Sequence, residues 1–167
     1  MPSRPRASPY HRLGLWLTRS VPGVMVLRYV FIPLDRPALR VSGGRLSLAP
    51  KVIPELLLTT TGRRSGERRA TPVLYLRDGQ RYVVVASNYG GERHPAWSAN
   101  LLANPEATIQ IGTRRQAVTA RPASPDEFER YWPRLVEMWP GWRTYRRMTG
   151  REFRMFVLEP RGRPGAA

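Results

Sequence analysis

Apolar and polar positions change period three times along this chain, and each change predicts a different kind of element. Leu13, Trp16 and Leu17 recur at helical spacing, and an apolar run from Val24 to Ile32, broken by Arg28, follows between Pro22 and Pro33. The run is too short to cross a bilayer, and it lacks the small-residue cleavage site of a signal peptide. The segment Glu55 to Thr61 (ELLLTTT) is rich in branched and apolar residues and stops at Gly62, as a buried strand does. Thr71 to Arg77 and Gln80 to Asn88 flank Asp78-Gly79, a strong hairpin signal, and a two-residue loop there sets Tyr75 opposite Tyr82 and Val73 opposite Val84. A second hairpin is predicted from Ala107 to Ala120, turning near Thr113 and Arg114, and a last strand from Phe153 to Glu159.

Helical punctuation falls between these strands. Pro95 suits the first helical position, and the helix it opens stops at Ala103, before Asn104-Pro105. Ser124, Pro125 and Glu127 form a capping-box signature, after which Phe128, Tyr131, Trp132, Leu135, Val136 and Trp139 share one face. Pro140-Gly141 ends that helix, and Trp142, Tyr145 and Met148 predict a further short one. Hairpins dominate over strand-helix-strand crossovers, so the fold class expected is α+β, mainly β, a small antiparallel barrel with peripheral helices. The chain then divides into a basic arm over residues 1–12, a single domain over 13–160 with a helical part (13–50) and a barrel with helical insertions (51–160), and a tail over 161–167.

Composition narrows the chemistry. The 167 residues suit one domain, and 41% of them are hydrophobic, enough to offset the entropy of ordering. There is no cysteine, which removes disulfides, thiolate nucleophiles and cysteine metal sites and fits a reducing, cytoplasmic compartment. His11 and His94 are the only histidines, so no metal is expected. The formal net charge of +16 rests almost wholly on arginine, Lys51 being the one lysine. Such an excess calls for an anionic partner (nucleic acid, an anionic membrane, or a small ligand bearing phosphates and carboxylates) or is plain solubilising surface. Neither an RNA-recognition nor a helix-turn-helix signature is present, and nucleic acid is set aside. Residues 10–34 would suit peripheral contact with the inner face of the cell membrane, and packing on the core is the other reading. Oligomeric state is not legible.

Three groups carry candidate chemistry. Gly62-Arg63-Arg64-Ser65-Gly66, with Arg68 and Arg69 behind it and Lys51 before it, combines glycines that let backbone approach a ligand, a hydroxyl, and guanidinium groups that pair bidentately with phosphate or carboxylate. It reads as an anion cradle or as an ordinary basic turn, and has the spacing of neither a Walker loop nor a dinucleotide fingerprint. Ala86-Ser87-Asn88 leads through Tyr89-Gly90-Gly91 to His94-Pro95-Ala96-Trp97, either a barrel rim open to a flat ring or a loop capped by His94. Trp139, Trp142, Tyr145 and Met148 form a stripe that is core or ligand wall. No GxSxG elbow is present, and a hydrolase triad is set aside.

The run LLLTTTGRRSGERRATPVLYLRDGQRYVVVAS, continuing to YGGERHPAWSANLLANPEATIQI and through RYWPRLVEMWP to the closing strand, resembles the deazaflavin (F-420)-dependent nitroreductase and quinone reductase family over about residues 10–160. The resemblance implies a split β-barrel of the flavin-reductase type. It also implies binding of reduced coenzyme F-420, a deazaflavin with a phosphate and an acidic polyglutamate tail, and hydride transfer to a quinone or a nitro compound. Carried over by motif, Arg63, Arg64, Ser65 and Gly66 hold the phosphate, Arg68 and Arg69 steer the tail, and Pro72, Val73, Leu74 and Tyr75 line the ring site. Ala86, Ser87 and Asn88 face the ring or acceptor, His94 and Trp97 close the groove, and Trp139, Trp142 and Tyr145 match the acceptor wall. Ser87, Tyr75, Tyr145 or water supplies the proton. Tryptophans where relatives carry tyrosines put nitro reduction in question. A flavin mononucleotide (FMN)-binding split-barrel protein is the alternative.

Overall fold

The computed structural model describes residues 22–23 and 54–162. Six strands, β1 (Glu55–Thr61), β2 (Arg68–Asp78), β3 (Arg81–Val85), β4 (Glu106–Ile111), β5 (Arg114–Pro122) and β6 (Met155–Pro160), pair antiparallel and close into a barrel in the order β1-β2-β3-β6-β5-β4. Among the described residues, three α-helices of eight residues or more decorate it: α1 (Ala96–Ala103), α2 (Pro125–Met138) and α3 (Gly141–Thr149). The mainly β, antiparallel barrel expected from the hairpins is the fold observed.

Period-two alternation sorts the strand residues into two cores. Leu56, Leu58, Val84, Ile109, Val118, Phe156 and Leu158 turn inward and fill the barrel, and Trp97 and Leu101 of α1 join them, so that this helix packs into the barrel interior. Val83, Val85 and Val157 turn outward and are covered by Tyr131, Leu135 and Val136 of α2 and by Trp142 and Tyr145 of α3. Each fully buried aliphatic side chain contributes about 1.5–3 kcal/mol.

Ser124 caps α2 as the motif requires. Its hydroxyl accepts from the Glu127 amide (3.2 Å), and the Glu127 carboxylate accepts from the Ser124 amide (2.9 Å) and from Arg121 (2.7 Å). The far end of the first hairpin is tied to α2 by the Tyr131 hydroxyl, which donates to Asp78 at 2.7 Å, and by Arg134 at 3.2 Å.

Two registers differ from expectation. In the first hairpin Asp78 pairs with Arg81 and Tyr75 with Val84, so the loop is Gly79-Gln80 instead of Asp78-Gly79. Only Gly79 of that pair has positive φ (59°), and glycine at the first loop position is the requirement of a II′ turn. Tyr75 and Tyr82 still meet, as a diagonal pair with ring centroids 5.5 Å apart. The second hairpin likewise turns at Gly112-Thr113, with Gly112 at φ 58° and Ile111 paired to Arg114. Pro95 caps α1 from outside, and β6 begins at Met155, two residues late. The arm over 1–12, the helical part over 13–50, the membrane-contact segment over 10–34, Lys51 and residues 163–167 lie outside the described residues, apart from Pro22 and Gly23. Among the described residues, no helix is long and apolar enough to cross a membrane.

Candidate functional site

Antiparallel pairing brings the β1–β2 turn, the end of β3 and the start of β6 to the same end of the barrel. The turn is closed by the Gly62 amide donating to the Glu67 carbonyl (2.7 Å) and the Gly66 amide donating to the Gly62 carbonyl (2.8 Å). Gly66 has φ 69° and open space where a Cβ would stand, whereas a Cβ on Gly62 would lie 2.7 Å from the Ser65 hydroxyl. Asn100 of α1 holds the turn from beneath: its Oδ1 accepts from the Arg63 amide (3.1 Å) and its Nδ2 donates to Thr60 (3.1 Å). Arg63 and Arg64 stand exposed, with no ion pair among the described residues. Arg69 pairs with Glu67 at 3.0 Å, and Arg68 donates to the Thr108 hydroxyl at 3.0 Å.

Along β2 the four residues expected to line one surface divide between two. Val73 and Tyr75 face the barrel interior, while Leu74 packs with the outer core and Pro72 is exposed. A strand cannot present four consecutive side chains to one ligand, because neighbours point to opposite faces. Pro72 lies about 13 Å along the strand from Arg68.

At the end of β3, Ala86 and Ser87 are both buried. Beyond them Asn88 (φ 49°), Tyr89 (φ 51°) and Gly90 (φ 74°) are three successive left-handed residues. For Asn88 and Tyr89 this conformation costs of order 1–3 kcal/mol each, and such strain persists only where the surroundings enforce it. They do. Gly90 lies against Tyr145, where a Cβ would meet the Tyr145 Cα at 3.2 Å, and the Asn88 amide group donates to the Arg93 carbonyl at 2.9 Å. Arg151, which motif reasoning passed over, donates to the carbonyls of Ser87 (2.7 Å) and Gly91 (2.9 Å).

His94 is half-buried, its Nδ1 2.8 Å from Arg151 Nη1. Burial, then the charges of Arg151 and Arg154, hold its imidazole below the ordinary value, against a hydrogen bond with the Ala86 backbone. Trp97 is core, its ring 5.8 Å from that of Phe156. Trp139, Trp142 and Tyr145 are also buried, and the Trp139 indole donates to the Tyr145 hydroxyl at 3.3 Å. Burial pushes the Tyr145 phenol well above its usual range.

One end of the barrel therefore joins an exposed pair of guanidinium groups on a glycine turn to a strained loop carrying Ser87, with the outer face of β2 between them. That arrangement suits an elongated ligand, anionic at one end. Asn100 left one signal in the sequence, a polar residue within the apolar run AWSANLLA; Arg151 left none.

A family model described as F420H(2)-dependent quinone reductase matches residues 36–160. The F420H(2)-dependent quinone reductase Rv1261c of Mycobacterium tuberculosis is 40% identical over 123 residues, which cover 72% of this chain and 78% of that protein. Among solved structures, an F420-H2 dependent reductase (FDR-A) aligns with a TM-score of 0.59 at 36% identity, covering 64% of this chain and 94% of that one. A chain described as a domain-swapped dimer aligns with a TM-score of 0.61 at 31% identity, covering 76% and 99%.

Proposed function

The chain belongs to the F420H(2)-dependent quinone reductase family, and from that premise we propose that it oxidises reduced coenzyme F-420 with a quinone as acceptor. The observation that carries this onto the chain's own residues is the glycine turn with Arg63 and Arg64 exposed and free of ion pairs among the described residues. Cationic donors on a turn that backbone can approach closely fit a phosphate with carboxylates beyond it. Flavin mononucleotide, the alternative from sequence, is not the cofactor that the family's description names.

Bound, the reduced deazaflavin supplies the hydride, and a proton completes reduction of the acceptor. Arg63 and Arg64 pair with the phosphate, beside the Ser65 hydroxyl and the open backbone at Gly66. Arg68 and Arg69 meet the tail by exchanging their present partners, Thr108 and Glu67, for its carboxylates. Pro72 and Leu74 give the ring an outer surface, and Val73 and Tyr75 support it from inside the barrel. Ala86, Ser87 and Asn88 bound the far end, with His94 and Trp97 holding the loop and α1 behind them. Trp139, Trp142 and Tyr145 act from beneath, as the packing on which that loop rests.

Of the three side chains proposed for the proton, Ser87 Oγ fits best. Tyr75 turns into the barrel, and Tyr145 is a buried phenol whose proton is held tightly. Ser87→Ala is expected to lower kcat by about 100-fold, and Tyr145→Phe to change it by less than about threefold. Arg64→Glu is expected to weaken binding of the coenzyme by at least about tenfold, against less than about twofold for Arg161→Glu, whose partner is an exposed Glu106. Fluorescence titration measures both, and equal losses would remove the cradle from the proposal.

A further inference from the structure

Arg151, between α3 and β6, touches the site through the backbone of the Ser87 loop and through the His94 ring. Its guanidinium donates to the carbonyls of Ser87 (2.7 Å), Gly91 (2.9 Å) and Ala86 (3.4 Å), and Nη1 lies 2.8 Å from His94 Nδ1. A guanidinium only donates, so His94 Nδ1 accepts and the neutral ring carries its proton on Nε2. The planar group thus bridges the loop's two ends, Ala86-Ser87 and Gly91, across the strained residues Asn88 and Tyr89. Inside the loop two backbone bonds are present, Gly90 to Ser87 (3.1 Å) and Gly91 to Asn88 (2.9 Å). The Asn88 amide group adds a bond to the Arg93 carbonyl (2.9 Å), and the Arg151 guanidinium spans the segment from outside. The Phe153 ring lies 4.8 Å from the guanidinium carbon and fixes its plane.

We infer that Arg151 is a positioning residue for the reduction: it ties Ser87 to Gly91 across the left-handed residues Asn88, Tyr89 and Gly90, and so sets Ser87 at the end of the cofactor groove. The inference rests on the function proposed above. Lysine, a single point charge on a flexible stem, cannot bridge both ends of the loop.

Arg151→Lys and Arg151→Met in the full chain test this by two readouts. Amide hydrogen exchange at Gly90 and Gly91 is expected to quicken at least about tenfold while Val83 and Val157 in the barrel keep their protection. With quinone as acceptor, kcat is expected to fall at least about tenfold, with affinity for the oxidised coenzyme within about threefold, because the cradle is untouched. Unchanged loop exchange overturns the inference, and so does kcat within about twofold of wild type once the loop is loosened. If the methionine variant loses barrel protection as well, the lysine variant decides. A wild-type protein that neither binds nor oxidises the coenzyme ends the functional reading and takes the catalytic half of this inference with it, whereas failure of the clamp alone shows only in the variants.

Discussion

Gly90 is where a missing side chain matters most. It combines φ 74° with a Cβ position 3.2 Å from the Tyr145 backbone, whereas Gly79 has φ 59° and open space around it. Gly79→Ala is therefore expected to cost about 1 kcal/mol from backbone strain alone, and Gly90→Ala at least about 2–3 kcal/mol, since the loop must leave Tyr145. Urea denaturation of the two variants measures the difference, and equal costs would mean that the loop does not rest on α3. Residues of this kind were partly legible in the sequence. The glycines and arginines of the cradle announce themselves by type and spacing, and the Gly90-Gly91 pair marks a close approach. Arg151 is one of 28 lysines and arginines, and apart from His94 its hydrogen-bond partners are main-chain carbonyls that no side chain flags. Tyr75 was legible as an aromatic of strand β2 but not as a residue of the barrel interior.

At the scale of elements, local signals placed the strands and helices well and their registers less well. The Ser124 capping box predicted α2, because capping is chemistry between residues three apart. The first hairpin slipped because Asp-Gly favours a I′ turn, whereas here a single left-handed glycine opens a II′ turn and lets Asp78 pair with Arg81 and bond to Tyr131. The capping element also sets an acid limit. Arg121, then the Ser124 backbone, lower the Glu127 carboxyl from 4.5 to about 2. A carboxyl depressed in the folded state contributes stability above its unfolded pKa and loses it as pH falls through the folded one. The Glu127 contribution, about 2 kcal/mol after allowance for the exposure of Arg121, is thus complete above roughly pH 5 and fades toward pH 2. Urea unfolding of wild type and Glu127→Gln is expected to differ at pH 7, with the difference shrinking to well under half at about pH 2.5; a constant difference would contradict the ion pair.

For the whole molecule, barrel closure explains why distant segments share one site. The order β1-β2-β3-β6-β5-β4 carries the cradle turn, the Ser87 loop and the Arg151 segment to one end, with α2 and α3 on the outside of the wall. Hairpin periodicity foretold the antiparallel barrel, and the motif series foretold the family. Helical spacing read the stripe of Trp139, Trp142 and Tyr145 as core or ligand wall, and the fold buries it in the outer core, with Tyr145 against the loop at Gly90, because spacing marks an apolar face without saying what covers it. The function proposed is that this end of the barrel takes a deazaflavin and passes its electrons to a quinone. Its most direct measurement is titration of the protein with reduced and oxidised coenzyme F-420, with flavin mononucleotide as competitor, followed by oxidation of the reduced form on adding quinone. Saturable binding that flavin mononucleotide does not displace, together with quinone-dependent oxidation, is the outcome expected of that function. Preference for flavin mononucleotide, or binding without any oxidation by quinones, would contradict it.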